Sequence, residues 1–249
     1  MSAKIRVVLV ETSHPGNIGA AARAMKNMGL DGDGATLYLV KPAQFPHEDA
    51  TVRASGAIDL LDGAVVCDSL DEALVGTTLV FGASARTRSL PWPIHPPREC
   101  AEKISLEPDE SEVAFVFGRE RSGLTNEELE RCNTLLHIPT NPEFSSLNLG
   151  AAVQVVAYEL LMARDEVHTE AETIDRDSPL SSADDIERLF THLEKTLVDI
   201  DFLDPENPRH MMRRLRRLFN RVELEQVEMN ILRGILTSVD KVANKKVNE

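Results

Sequence analysis

Five apolar runs recur along residues 1–163: Ile5–Val10, Thr36–Val40, Thr78–Gly82, Val113–Phe117 and Leu135–Ile138, with a weaker one at Val65–Cys67. Most do not alternate apolar with polar residues, as a strand with one wet face would. Such runs suit strands buried on both faces. Helical segments separate them, among them Ile18–Met28, Leu70–Leu74 and Asn126–Arg131. Strand followed by helix, repeated, predicts an α/β domain: a mostly parallel sheet with helices on both faces. Ligands of such sheets bind beyond the carboxyl ends of the strands. The last helix of this region is expected from about Leu147 to Met162, capped by Ser145 or Ser146. Leu149, Val153, Val156 and Leu160 mark one face, and Ala151, Ala152, Val155 and Ala157 keep the others small or apolar. A helix apolar nearly all round is buried in a core or a subunit interface.

The pattern then changes. Residues 165–187 carry nine acids and a single base, Arg176, which reads as a solvated, flexible linker. Beyond it the periodicity is purely helical. Ser182 with Asp185 three residues on forms a capping signature, and Ile186, Leu189, Leu193, Leu197 and Ile200 follow at helical spacing. Further helices are expected at about His210–Val222 and Glu225–Val242. The chain therefore divides into a domain at 1–163, an acidic linker at 164–181 and a helical extension at 182–249.

Charge and composition exclude several classes. The 249 residues carry a net charge of −14, which rules out a generally basic nucleic-acid coat but not a local basic patch. Aromatics are 4% of the chain, too few for an extended base-stacking platform. Cys67, Cys100 and Cys132 are odd in number and form no C-x-x-C, so they read as reduced thiols packed as small hydrophobes, and no metal site is expected. The Val7–Val10 run is too short for a signal peptide and ends at Glu11. No run approaches the length of a membrane span, and a cytoplasmic location is expected.

Four segments combine residues of chemical interest. The first, Glu11–Ala24, follows a strand and opens a helix, with Gly16 and Gly19 permitting close approach and Asn17 a good N-cap. Arg23 would lean back toward the loop, where a guanidinium can bind phosphate or carboxylate. The same segment also reads as an ordinary strand–turn–helix joint. The second, Phe117–Thr125, has the G-x-x-x-x-G spacing of a phosphate loop at Gly118 and Gly123, but Leu124-Thr125 stands where Lys-Ser/Thr is required. No G-x-G-x-x-G occurs, so nucleoside-triphosphate and dinucleotide readings lose their main support. The third, Ile138–Leu149, places Ser146 and Asn148 at the start of the long helix, where capping alone would account for them. In the fourth, Arg209, Arg213, Arg214, Arg216, Arg217 and Arg221 stand opposite an apolar face of Met211, Leu215, Leu218, Phe219 and Val222. This is a polyanion site or a solvated basic face.

Taken in order, the first three segments resemble the three motifs of the SPOUT class of RNA methyltransferases, in its SpoU/TrmH branch: N-x-G-A-x-x-R-A at Asn17–Ala24, F-G-R-E-R-x-G-L at Phe117–Leu124 and S-L-N-L at Ser146–Leu149. The fuller strings, with ASARTRSLPWP at Ala83–Pro93 and the arginine-rich helix, resemble the TrmJ type of tRNA 2'-O-methyltransferase over almost the whole chain. The resemblance implies an α/β domain with a C-terminal trefoil knot, a rare exception to unknotted chains. It implies S-adenosylmethionine (SAM) as methyl donor, held by Ala83, Ser84, Ala85, Gly118, Gly123, Ile138, Ser145, Ser146 and Leu147. Family members usually carry Thr or Gly where this chain has Ala83. It also implies a homodimer in which Arg23 serves the partner's site.

The reaction so implied is attack of a tRNA ribose 2'-hydroxyl on the SAM methyl group, for the TrmJ type at the pyrimidine of anticodon-loop position 32. The residues assigned to catalysis are Arg23, Glu120, Ser146 and Asn148; those assigned to RNA are Asn17, Arg23, Arg86, Arg213, Arg214, Arg216 and Arg217. Arginine keeps its proton far above neutral pH, which favours an electrostatic and positioning role for Arg23, with Glu120 orienting Arg23 or Arg119. Another tRNA position or ribosomal RNA is the alternative within the class. A SAM-binding RNA adaptor without catalysis is the alternative outside it.

Overall fold

A computed structural model describes residues 3–84, 93–108, 110–166, 176–206 and 209–247. Seven parallel strands form one sheet: β1 (Lys4–Val10), β2 (Ala35–Val40), β3 (Val65–Cys67), β4 (Leu79–Ala83), β5 (Ile94–His95), β6 (Glu112–Phe117) and β7 (Thr134–Leu136), in the order β3-β2-β1-β6-β4-β7-β5. The two-residue β5 is the strand that the apolar runs did not announce.

The pleat explains why the runs do not alternate. In β1, Ile5, Val7 and Leu9 enter one core, and Val8 and Val10 enter a second core on the other face. In β6, Val113, Phe115 and Phe117 share the first core while Ala114 and Val116 share the second. With both faces covered, the central positions of these strands are apolar on either side. Phe81 of β4 stacks on Phe115 with ring centroids 5.1 Å apart. The three cysteines are free and buried, and burial pushes the Cys100 and Cys132 thiols up to about 12.

Helices α1 (Pro15–Asn27), α2 (Glu48–Ala54), α3 (Ile58–Asp62), α4 (Leu70–Ala73), α5 (Pro97–Ser105) and α6 (Asn126–Leu129) connect the strands, and α7 (Leu149–Glu166) closes the domain. Leu149, Val153, Val156 and Leu160 of α7 lie in the first core. A Cβ at Gly19 would sit 2.0 Å from Ala50 O, so this glycine serves the contact between α1 and α2 rather than approach to a ligand. The other motif-one glycine, Gly16, has His14 Nδ1 3.0 Å from its would-be Cβ.

The segment read as a solvated linker is anchored at both ends. Residues 164–166 belong to α7; 167–175 lie outside the described residues. Arg176 then forms two 2.8 Å bonds to the buried Glu107 carboxylate, Leu180 is buried, and Ser181 N–H donates to Leu224 O. Its one base is thus committed to a buried acid, which composition alone does not reveal. Helices α8 (Ala183–Asp199), α9 (Met211–Asn220) and α10 (Gln226–Val247) follow. Ser182 caps α8 by accepting from Asp185 N–H, as its capping signature predicts. Leu189, Leu224, Met229 and Leu236 form a small core of their own. Among the described residues no helix is long and apolar enough to cross a membrane.

Candidate functional site

Strand order brings the carboxyl ends of β6, β4 and β7 side by side. The loops leaving them enclose a cleft. Ala83 and Ser84 line it after β4, Gly118 through Leu124 after β6, and Ile138 with Ser145, Ser146 and Leu147 after β7. Eight of the residues that the resemblance assigns to a cofactor therefore meet in one place; Ala85, like Arg86, lies outside the described residues. Phe117, Leu136 and Leu149 add apolar wall.

The β6 loop is built by two glycines. A Cβ on Gly118 would lie 2.2 Å from Gly123 C and 2.3 Å from Leu124 N, so the chain folds directly back over it. Gly123 has φ +69°, a conformation that favours glycine, and its N–H donates to Arg119 O at 2.9 Å to close the loop. Nothing lies within 4 Å of a Cβ built on Gly123.

The charged residues of this loop are committed differently. Arg119 is held by Glu11 at 2.7 Å and by both oxygens of Glu128, which raises its pKa. Glu128 also completes a capping box with Thr125 at the start of α6. Glu120 does not pair with Arg119, which Glu11 and Glu128 hold instead. Its carboxylate accepts from Ser13 N–H (3.1 Å), Ser13 Oγ (3.0 Å), His14 N–H (3.2 Å) and Asn17 Nδ2 (2.9 Å). Burial alone would raise its pKa, but the bonds from Asn17 and from the amides of Glu120, Ser13 and His14 prevail and draw it down to about 2. Arg121 is exposed and has no partner among the described residues.

Asn17 extends this clamp to the third loop. Its Nδ2 faces Glu120, so its Oδ1 accepts from Asn148 Nδ2 at 3.0 Å. Asn148 Oδ1 in turn accepts from Gly150 N–H at 2.9 Å. The carboxylate at one end can only accept and the amide at the other can only donate, which fixes both side-chain amides. One hydrogen-bonded row thus ties the three motifs together.

Three expectations are corrected here. Asn17 is not the N-cap of α1: His14 is, its Nδ1 accepting from Gly16 N–H at 3.1 Å. The cap of α7 is Asn148, not Ser145 or Ser146, because its acceptor is the one that meets Gly150 N–H. The α9 arginines do not all stand on an outer face. Arg213 pairs with Glu130, and Arg216 pairs with Glu187 and lies 4.4 Å from the Phe190 ring centroid; neighbouring acids draw both inward. Arg217 is half-buried, while Arg209, Arg214 and Arg221 are exposed, as are Leu218 and Val222 of the apolar face. Arg23 is exposed and does not line its own chain's cleft.

Sequence reasoning missed Ser13 and His14 as partners of Glu120, and Arg121 and Phe144 on the cleft loops. The Asn141-Pro142 pair, a turn signal, was the available clue that Phe144 is displayed rather than buried.

Fold and cleft together define a methylase of the SPOUT class. The SpoU rRNA methylase family matches residues 4–158, and the C-terminal domain of the tRNA methyltransferase TrmJ matches residues 184–248. A Pseudomonas aeruginosa protein named tRNA (cytidine/uridine/adenosine-2'-O-)-methyltransferase TrmJ is 58% identical, covering 96% of this chain and 95% of its own. A Photorhabdus laumondii protein named tRNA (cytidine/uridine-2'-O-)-methyltransferase TrmJ is 51% identical, covering 98% of this chain and 100% of its own. The crystal structure of TrmJ from Z. mobilis ZM4 superposes with a TM-score of 0.81 at 32% identity, covering 96% of this chain and 100% of that one. The chain belongs to the TrmJ-type methyltransferases of the SpoU family.

Proposed function

We propose that the protein transfers a methyl group from SAM to the ribose 2'-hydroxyl of a tRNA nucleotide, the pyrimidine at position 32 of the anticodon loop. The observation that carries this reading is the convergence of three motif loops on one cleft, fastened by the Glu120–Asn17–Asn148 row. The cleft fits SAM: Phe117, Leu136, Ile138, Leu147 and Leu149 offer apolar surface, and the open space at Gly123 leaves backbone accessible. Ala83, Ser84, Ala85, Gly118, Gly123, Ile138, Ser145, Ser146 and Leu147 are the residues assigned to hold it. When bound, SAM supplies a methyl group activated by a sulfonium sulfur.

The chain's own residues then position and polarise. Asn148, its amide fixed by Asn17 and Gly150, and the neighbouring Ser146 set the ribose in line. Glu120 holds the Ser13–Asn17 corner against the cofactor loop. Arg23, exposed on α1 and outside the lining of its own chain's cleft, acts in the site of a second copy across a homodimer, holding the target phosphate and stabilising developing alkoxide charge. The exposed arginines of α9 contact the tRNA backbone. The division at residues 163 and 182, the trefoil knot and a cytoplasmic location belong to the same reading.

Labelled SAM incubated with unmodified tRNA transcripts, followed by nuclease digestion and mass spectrometry, tests it. A 2'-O-methyl group at position 32 is expected. A methyl group elsewhere removes the position and keeps the chemistry; SAM binding without transfer favours the adaptor.

A further inference from the structure

Phe144 is 80% exposed, in a chain whose aromatic content is 4%. An isolated exposed apolar residue is ordinary, but the position of this one is not. It immediately precedes Ser145, Ser146 and Leu147, which line the cleft. The turn that carries it is braced from within. Phe144 N–H donates to Asn141 O at 2.9 Å, Glu143 N–H donates to Asn141 Oδ1 at 3.0 Å, and Thr140 Oγ1 donates to Ser145 O at 3.2 Å. Pro142 limits the backbone further. The ring is therefore displayed outward by a pre-organised turn.

We propose that Phe144 stacks on the base of the nucleotide whose ribose is methylated, and so positions that ribose over the cleft. The inference rests on the tRNA reading above. A loop nucleotide is not locked in a regular duplex, so its base can be splayed out and stacked on an aromatic side chain. Methylation occurs on the sugar, so the base needs only to be gripped, and stacking grips any base because every base has a π-face. The contact thus admits more than one base at the target. The braced turn adds little ordering cost on binding.

The test uses the full chain and two transcripts, one intact and one abasic at the nucleotide that the wild type methylates. With intact tRNA, Phe144→Leu is expected to lower kcat/KM roughly tenfold or more, Phe144→Tyr to restore it, and SAM affinity to stay unchanged. With the abasic transcript, wild type and Phe144→Leu should become equal, since the stacking partner is gone from both. An equal loss on both transcripts overturns the proposal, placing the ring against another part of the RNA. So does a loss of SAM affinity or of the dimer in Phe144→Leu, and so does unchanged kcat/KM. Failure of the wild type to methylate intact tRNA would instead remove the proposed function itself, and this inference with it.

Discussion

Replacing Glu120 by Gln perturbs the corner that joins the motif loops while keeping its shape. The carboxylate accepts four hydrogen bonds, three of them from Ser13 N–H, His14 N–H and Asn17 Nδ2. An amide in its place turns one acceptor into a donor that faces donors. The fall of its pKa from 4.5 to about 2 corresponds to an upper limit of roughly 3.4 kcal/mol at about 1.4 kcal/mol per tenfold change. Solvent screening at this partly exposed site reduces that to about 1.5–2 kcal/mol. The folded-state pKa is depressed, so this stability is present above pH 4.5 and is lost as pH falls through about 2. Urea unfolding of wild type and Glu120→Gln at pH 7 should therefore differ by about 1.5–2 kcal/mol, the gap narrowing as pH falls below about 4. SAM affinity should fall as well, because the β6 loop loses its brace. Equal stability at pH 7, or a gap independent of pH, would refute the clamp.

Further outcomes follow from the same geometry. Gly118→Ala sets a Cβ 2.2 Å from Gly123 C; backbone cannot yield cheaply, so calorimetry should find SAM affinity at least about tenfold weaker, as loss of roughly 1.4 kcal/mol implies. Arg214→Ala should flatten the log–log salt dependence of tRNA binding by about 0.7–0.9. Arg216→Ala, which removes an ion pair and a ring contact, should lower the Tm and leave that slope nearly unchanged. Arg23→Lys should stay well below wild-type turnover if a planar fork is needed; full activity would exclude that requirement.

The strands were legible because both faces of the sheet are covered, which writes an unbroken apolar run into the chain. Helices α2 and α3 leave little trace in the sequence. In α2 only Ala50 and Ala54 are buried, and two small side chains leave no apolar stripe. The two residues of β5, between Pro93 and Pro96, are too few to show a period. At the site, motif spacing located the loops and the residues that meet in the cleft. It did not say which polar atoms pair, because Glu120 and Asn17 are 103 positions apart and meet only through the sheet. His14 rather than Asn17 caps α1, although Asn17 is the commoner capping type, because the helix begins at Pro15 and His14 Nδ1 accepts from Gly16 N–H.

In the proposed reaction the acceptor is a ribose 2'-hydroxyl. A tRNA transcript carrying a single 2'-deoxynucleotide at the mapped target, assayed with labelled SAM in one turnover against its all-ribose counterpart, tests this most directly. Full transfer to the all-ribose transcript and none to the deoxy one is expected. Equal labelling of both would put the methyl group on the base and rule out 2'-O-methylation.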